Sequence, residues 1–260
     1  MTRSFSVTES GLTLSDVQDL ASNPSGEARA QAAAKIAASY GKSLMSQSEL
    51  TMAQDIFRLM MKDAEVRVRE ALSMNLKSTP LLPRDIAMNL ARDVDSVAVP
   101  MIEMSDVLTT EDLIEIINSQ NPNKHAAIAD RATVHADVAD ALVEQGGEVA
   151  VTKLVGNRGA HLTEPCIHRV VDRFGTVEAI QQKLIERPVL PMTVAERLVT
   201  KVSNHLRGAL VSRHKISPDL AADLILQSRE RATVGLAVGA TDDEVEALVG
   251  QLDLNKRLTA

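Results

Sequence analysis

The chain has 260 residues, 45% of them hydrophobic and 24% charged, with a formal net charge of −7. This is the balance of a globular protein with room for one or two cores, and its acidity disfavours general nucleic-acid binding, which needs a basic face to displace counterions. Aromatic residues make up only 2% of the chain, so the core must be built from Ala, Leu, Val, Ile and Met, which suits close-packed helices better than sheets.

The opening "MTRSFSVTESG" lacks the apolar stretch of a secretory signal. A helical pair is expected next, from "SGEARAQAAAKIAASYG" at Ser25 and "SQSELTMAQDIFRLMMK" at Ser46.

A repeating pattern then takes over. One set of phrases runs "DAEVRVREALSMN" from Asp63, "DVDSVAVPMIEMS" from Asp93, "NPNKHAAIADR" from Asn121 and "GEVAVTKLVGN" from Gly147. Each starts in polar or turn residues, continues through small and branched apolar ones, and closes on a polar position. Those closing positions are Asn75, Ser105, Arg131 and Asn157, spaced 30, 26 and 26 residues apart. A regular bend or shortening is expected at Pro100, inside the second phrase.

A second phrase follows each of the first: "LPRDIAMNLAR" from Leu82, "TTEDLIEIINSQ" from Thr109, "VHADVADALVEQG" from Val134 and "LTEPCIHRVVDRFG" from Leu162. Ile86 with Leu90, Leu113 with Ile116 and Ile117, and Val138 with Leu142 repeat at helical spacing on one face. Thr109 or Thr110 and Thr163 are placed to cap N-termini, and Gly146 suits a left-handed C-cap. The unit is therefore helix, turn, helix, turn, at about 26–30 residues, within the range of helical-repeat units.

Downstream, "TVEAIQQKLIER", "PMTVAERLVTKVSNHLRGALVSRH", "SPDLAADLILQSRERATVGLAVG" and "TDDEVEALVGQL" continue with helical periodicity. "ERPVLP" at Glu186–Pro191 is the clearest break. It divides the chain into central helical repeats over 1–187 and a helical extension over 188–260. The ending "LDLNKRLTA" resembles the entrance to a further helix at Leu258 and Thr259, which suggests part of a longer protein.

The phrases "DAEVRVREAL", "LARDVDSVAVPMIEMSDVLTTEDLIEII", "AIADRATVHADVADALV" and "KLVGNRGA" resemble, in order and spacing, an alphaproteobacterial HEAT-like repeat family catalogued as a domain of unknown function. The likeness spans about Asp63 to Ala160. It implies an α-solenoid of stacked antiparallel helical hairpins and implies no activity or catalytic residue.

Chemical motifs are weak. His125, His135, His161 and His168 lack the i, i+4 spacing of a helical metal pair. Gly156 and Gly159 precede a helix start without the strand and Lys-Ser/Thr of a phosphate loop. Cys166 is the one cysteine. It excludes an intramolecular disulfide and reads as a buried thiol in a reducing cytoplasm. No run of about 18 apolar residues offers a membrane span. The basic clusters at Arg67 and Arg69, at Arg213, and at Arg229 and Arg231 read as solvated helix faces.

Asn75, Ser105, Arg131, Asn157 and the neighbouring Arg158 are the candidate site residues. They either satisfy backbone groups in adjacent turns, or face a groove where Arg131 and Arg158 meet an anion, or are simply exposed. The expected function is a non-enzymatic protein-interaction scaffold without cofactors or metals. A sensor of a small anion or nucleotide is the alternative, and a HEAT-like nucleic-acid enzyme is the remote one, since it calls for stacking aromatics that are scarce here.

Overall fold

The computed structural model describes residues 25–40, 45–202, 204–214 and 216–237. The phrase at Thr241, the ending at Leu258 and Thr259, the opening eleven residues and the side chains of Arg229 and Arg231 lie outside the described residues. Among the described residues the protein is all-helical. The helices are α1 Gly26–Ser39, α2 Gln47–Met60, α3 Val66–Leu76, α4 Arg84–Arg92, α5 Asp95–Met104, α6 Thr110–Asn118, α7 Pro122–Ala129 and α8 Ala136–Gln145. They continue as α9 Glu148–Gly156, α10 Glu164–Phe174, α11 Glu178–Glu186, α12 Met192–Lys201, α13 Asn204–His214 and α14 Pro218–Ala237. The one extended pairing is an isolated parallel bridge between Val134 and Ala160.

The chain divides into two compact units, residues 1–170 and 171–260. In the first, the helices arising from the first phrases pack in series: α1 on α3, α3 on α5, α5 on α7, and α7 on α9. The helices from the second phrases form another series, α4 on α6 and α6 on α8. In the second unit, α11 packs on α13, and α12 packs on both α13 and α14.

Local chemistry sets the helix ends. Ser46 and Thr109 each accept from the N3 backbone while the N3 carboxylate, Glu49 or Asp112, accepts from the cap's own N–H. Asn121 caps α7 immediately before Pro122, whose missing N–H costs nothing in the first turn. Thr163 Oγ1 accepts from the Cys166 N–H at the start of α10.

α5 continues through Pro100 to Met104 without ending at the proline. Val97, Ala98, Met101 and Ile102 are all fully buried around that proline, so packing against α3 and α7 holds the helix where local propensity opposes it. Gly146 is not left-handed: its φ is −74°. A side chain there would meet the Leu142 carbonyl oxygen at 2.4 Å, so it is close backbone approach that selects glycine.

The core is aliphatic. Leu72, Leu76, Ile86, Leu90, Met101, Ile102, Ile117, Ile128, Leu142 and Leu154 are among the largest fully buried side chains. Each is worth about 1.5–3 kcal/mol when buried, and each lies between successive helices of one series or between the two series. Cys166 is a buried free thiol, as its isolation in the sequence suggests.

Gly159 fixes one linker to the next. A Cβ there would sit 1.9 Å from the Ala132 carbonyl oxygen, beside the bridge in which Val134 N–H donates to Gly159 O at 3.1 Å and His161 N–H donates to Val134 O at 2.9 Å. Gly159→Ala must therefore separate the two linkers. Hydrogen exchange at the Val134 and His161 amides is expected to accelerate while the α3–α5 contact stays protected; unchanged exchange at both amides would count against this account of the linker.

Candidate functional site

Arg131 and Asn157 act on the backbone of the preceding unit. Arg131 follows α7, and its guanidinium turns back to the end of α5: Nη2 donates to Ser105 O at 3.0 Å and Nη1 donates to Ile102 O. Asn157 does the same one unit later. Its Nδ2 donates to Ala129 O at 2.8 Å and to Arg131 O at 2.7 Å, while its Oδ1 accepts from Gly159 N–H at 2.8 Å. These carbonyls belong to helix C-termini, which leave their last acceptors without intrahelical donors. Ser105 is buried, and its Oγ lies 3.4 Å from the Val107 N–H that donates to it.

The other two candidates are placed differently. Asn75 is exposed, and its Nδ2 donates to Ala71 O within its own helix. The inter-helix role at that level falls to buried Ser73, whose Oγ donates to Val97 O of α5 at 2.6 Å. Arg158 is exposed. The structure thus joins Ser105, Arg131 and Asn157 in one chain of contacts and leaves Asn75 and Arg158 outside it.

Arg131 is 9% exposed. Burial pushes it below the usual arginine value, and nearby Asp106 works in the opposite direction. Its Nε has no hydrogen-bond partner. A buried charge served only by carbonyl dipoles is costly, so its two carbonyl contacts are the return on that burial.

Arg131 also lines a cleft of about 850 Å³ where successive hairpin turns come together. Its walls include Glu103, Asp106, Asp130, Thr109, Thr133 and His135, with Leu108 and Leu113 as apolar ground. Met104, half exposed, stands on the same wall. Asp130 is paired with Lys153. Glu103 and Asp106 form no ion pair among the described residues, so the cleft presents net negative charge.

The histidines do not converge on a metal site. His125 is buried with Nε2 2.7 Å from Ile117 O, and His168 lies 3.7 Å from Glu164. His135 and His161 stack across the Val134–Ala160 bridge, with ring centroids 6.3 Å apart. Among the described residues no group of three or more His, Cys, Asp or Glu side chains could hold a metal ion.

Sequence reasoning missed a set of ion pairs that cross from unit to unit. Arg58 reaches Asp85 at 2.9 Å, Arg69 reaches Asp93 at 2.6 Å and Arg84 reaches Asp112 at 2.6 Å. Arg92–Glu115 and Arg169–Asp140 belong to the same set. Arg69 is not on a solvated face: it is part-buried, and it also donates to Asp63 O at 2.6 Å. The missed signal was the spacing. Arg58 and Asp85 are 27 residues apart and Arg84 and Asp112 are 28 apart, one repeat length in each case.

Residues 97–260 match the family described as "uncharacterised protein conserved in bacteria (DUF2336)", and the chain belongs to that family. The match begins inside α5 and runs through residue 260, further toward the C-terminus than the phrases that first carried the resemblance. No curated protein and no solved structure matches the chain. No helix among the described residues is long and apolar enough to cross a membrane.

Two measurements test these contacts. Arg131→Ala and Asn157→Ala strand buried carbonyls and should each lower the unfolding free energy by about 1–3 kcal/mol. Asn75→Ala and Arg158→Ala should stay within about 0.5 kcal/mol of the parent. Urea denaturation followed by circular dichroism separates the two groups, and equal effects across all four variants would contradict the assignment.

The second concerns acid. The guanidinium of Arg29 holds Asp63 below the ordinary carboxylate value, as Arg58 does for Asp85 and Arg84 for Asp112. A carboxylate whose pKa is lowered by folding stabilises the protein above its unfolded pKa of about 4, and that contribution is lost as pH falls through the folded value. Stability should be level from pH 7 to about 5 and fall below about 4, with a shallower acid limb in Asp112→Asn. An acid limb as steep as the parent's in that variant would rule the Arg84 pair out as a contributor.

Proposed function

We propose that this protein is a non-enzymatic interaction scaffold: a HEAT-like α-solenoid of stacked helical hairpins whose turn-side cleft holds a basic segment of another protein. The solenoid reading is supported by the two series of like helices, each packed on its sequence neighbour of the same kind. Such stacks present extended binding surfaces and are held by nearest-neighbour contacts.

The observation that carries the functional reading is the cleft around Glu103 and Asp106. It combines two carboxylates that form no ion pair among the described residues with an apolar ground at Leu108 and Leu113 and a half-exposed methionine. Arg131, the cation on its walls, is already engaged with Ile102 and Ser105. An occupant with lysine or arginine beside an aliphatic anchor complements that lining in charge and in polarity.

A second reading, binding of a small anion or nucleotide, is favoured by one feature, the partnerless Nε of Arg131. Three carboxylates on the same walls oppose it.

Fluorescence anisotropy with labelled peptides of matched length separates the two. Basic peptides with a leucine or methionine anchor should bind, should weaken with added salt, and should lose about tenfold or more in affinity to the Glu103→Lys, Asp106→Lys double variant. Tighter binding of acidic peptides or of inorganic phosphate, abolished by Arg131→Met, would favour the anion reading; binding of neither would remove the cleft as the site.

A further inference from the structure

Helix α2 is packed on two sides and open on a third. Phe57 is fully buried, with its ring edge-on to that of Tyr40 at the end of α1, 5.2 Å between centroids. Arg58 and Met61 share a hollow with Asp85, Asn89 and Leu90 of α4, and Arg58 pairs with Asp85 there. Projected at about 100° per residue, Met52, Ile56 and Leu59 fall within about 60° of one another on the remaining side. Met52 is 62% exposed, Leu59 is 73% exposed and Ile56 is partly exposed.

Single exposed aliphatic residues are ordinary. Three aligned on one flank form a stripe, and a stack of helices stays soluble when its outward faces are polar. This flank is apolar along two turns.

Charge marks the two ends of the stripe. Glu49 stands in the first turn of α2 and Lys62 just beyond the last. Both are exposed, and neither forms an ion pair among the described residues. Asp55, beside the stripe, is already paired with Arg58. The spacing is symmetric: Met52 and Leu59 are centred between Asp55 and Ile56, and so are Glu49 and Lys62. A second α2 laid antiparallel about that point brings Met52 of each copy level with Leu59 of the other. The two Ile56 side chains meet near the middle, and Glu49 of each copy comes level with Lys62 of the other. The helix dipoles then also oppose each other favourably.

We propose that the Met52–Ile56–Leu59 face of α2 is a self-association surface, on which a second copy of this chain docks its own α2 antiparallel about a two-fold axis. The occupant is a second copy and not an unrelated partner because the stripe carries its own complement, apolar at the centre and opposite in charge at its two ends. One helix from each copy makes a small interface, so the association is weak and reversible. None of these residues lines the cleft at Glu103 and Asp106, so this surface is separate from the proposed peptide site.

Sedimentation velocity of the full chain, over a series from micromolar to millimolar concentration, tests this. The parent should pass from monomer to dimer. Leu59→Lys should stay monomeric throughout with unchanged circular dichroism, since Leu59 lies outside the core. Glu49→Lys and Lys62→Glu should each weaken the dimer about fivefold or more, because symmetry makes each substitution oppose like charges twice. An equimolar mixture of those two variants should recover the dimer, since Glu then faces Lys at both ends. Lys62→Glu removes no helix cap, so it tests the charge pairing even if Glu49→Lys frays the start of α2. A parent that is monomeric at every concentration overturns the proposal and leaves the face to another occupant. Dimers that survive Leu59→Lys place the interface elsewhere and also overturn it, and a mixture no tighter than the separate variants overturns the antiparallel pairing.

Discussion

The constraint on which this structure rests is that its helices are too short and too apolar to stand alone. Most span nine to eleven residues, below the length at which an isolated helix holds together in water. Along the two series of the first unit they persist because each packs on the next helix of its own kind. Leu72 and Leu76 on α3, Met101 and Ile102 on α5, Ile128 on α7 and Leu154 on α9 are fully buried along one such series. At about 1.5–3 kcal/mol per side chain, this aliphatic contact outweighs any polar link in the molecule. It is also strong enough to carry a proline through the middle of α5.

Polar groups have a different task, which is register. Hydrophobic contact between aliphatic surfaces is non-directional, so it would tolerate one helix sliding along another. Ser73, Arg131 and Asn157 remove that freedom, because each must meet particular carbonyls in a neighbouring unit. The ion pairs Arg58–Asp85, Arg69–Asp93 and Arg84–Asp112 repeat the lesson at the surface. The arginines beside them hold their acidic partners below the ordinary carboxylate value, so the electrostatic register persists further into acid than free aspartates would allow.

The parts legible in the sequence were the local ones. Helical periodicity marked the elements because one buried face per helix imposes the 3.6-residue spacing, and Thr109 and Thr163 marked boundaries because capping involves residues two or three apart. The recurrence of Ser105, Arg131 and Asn157 was visible for the same reason that the helices were. What those side chains touch was not, since the Arg131–Ile102 contact depends on how two hairpins are offset. Asn75 shows the limit clearly: it occupies the same place in the written pattern, yet it turns back onto its own helix while Ser73, two residues earlier, reaches the neighbour. The cleft at Glu103 and Asp106 escaped notice because three separate linkers compose it.

The clasp between successive turns has an evolutionary consequence. Arg131 grips the carbonyl of Ser105, 26 residues back, and its own carbonyl is gripped by Asn157, 26 residues ahead. Arg131 is thus at once hand and handle. A gene that gains or loses one whole 26-residue module keeps each hand opposite a handle, whereas a single inserted codon between two of them leaves both empty. Growth by duplication of entire modules is thus tolerated by the same geometry that forbids drift in their length.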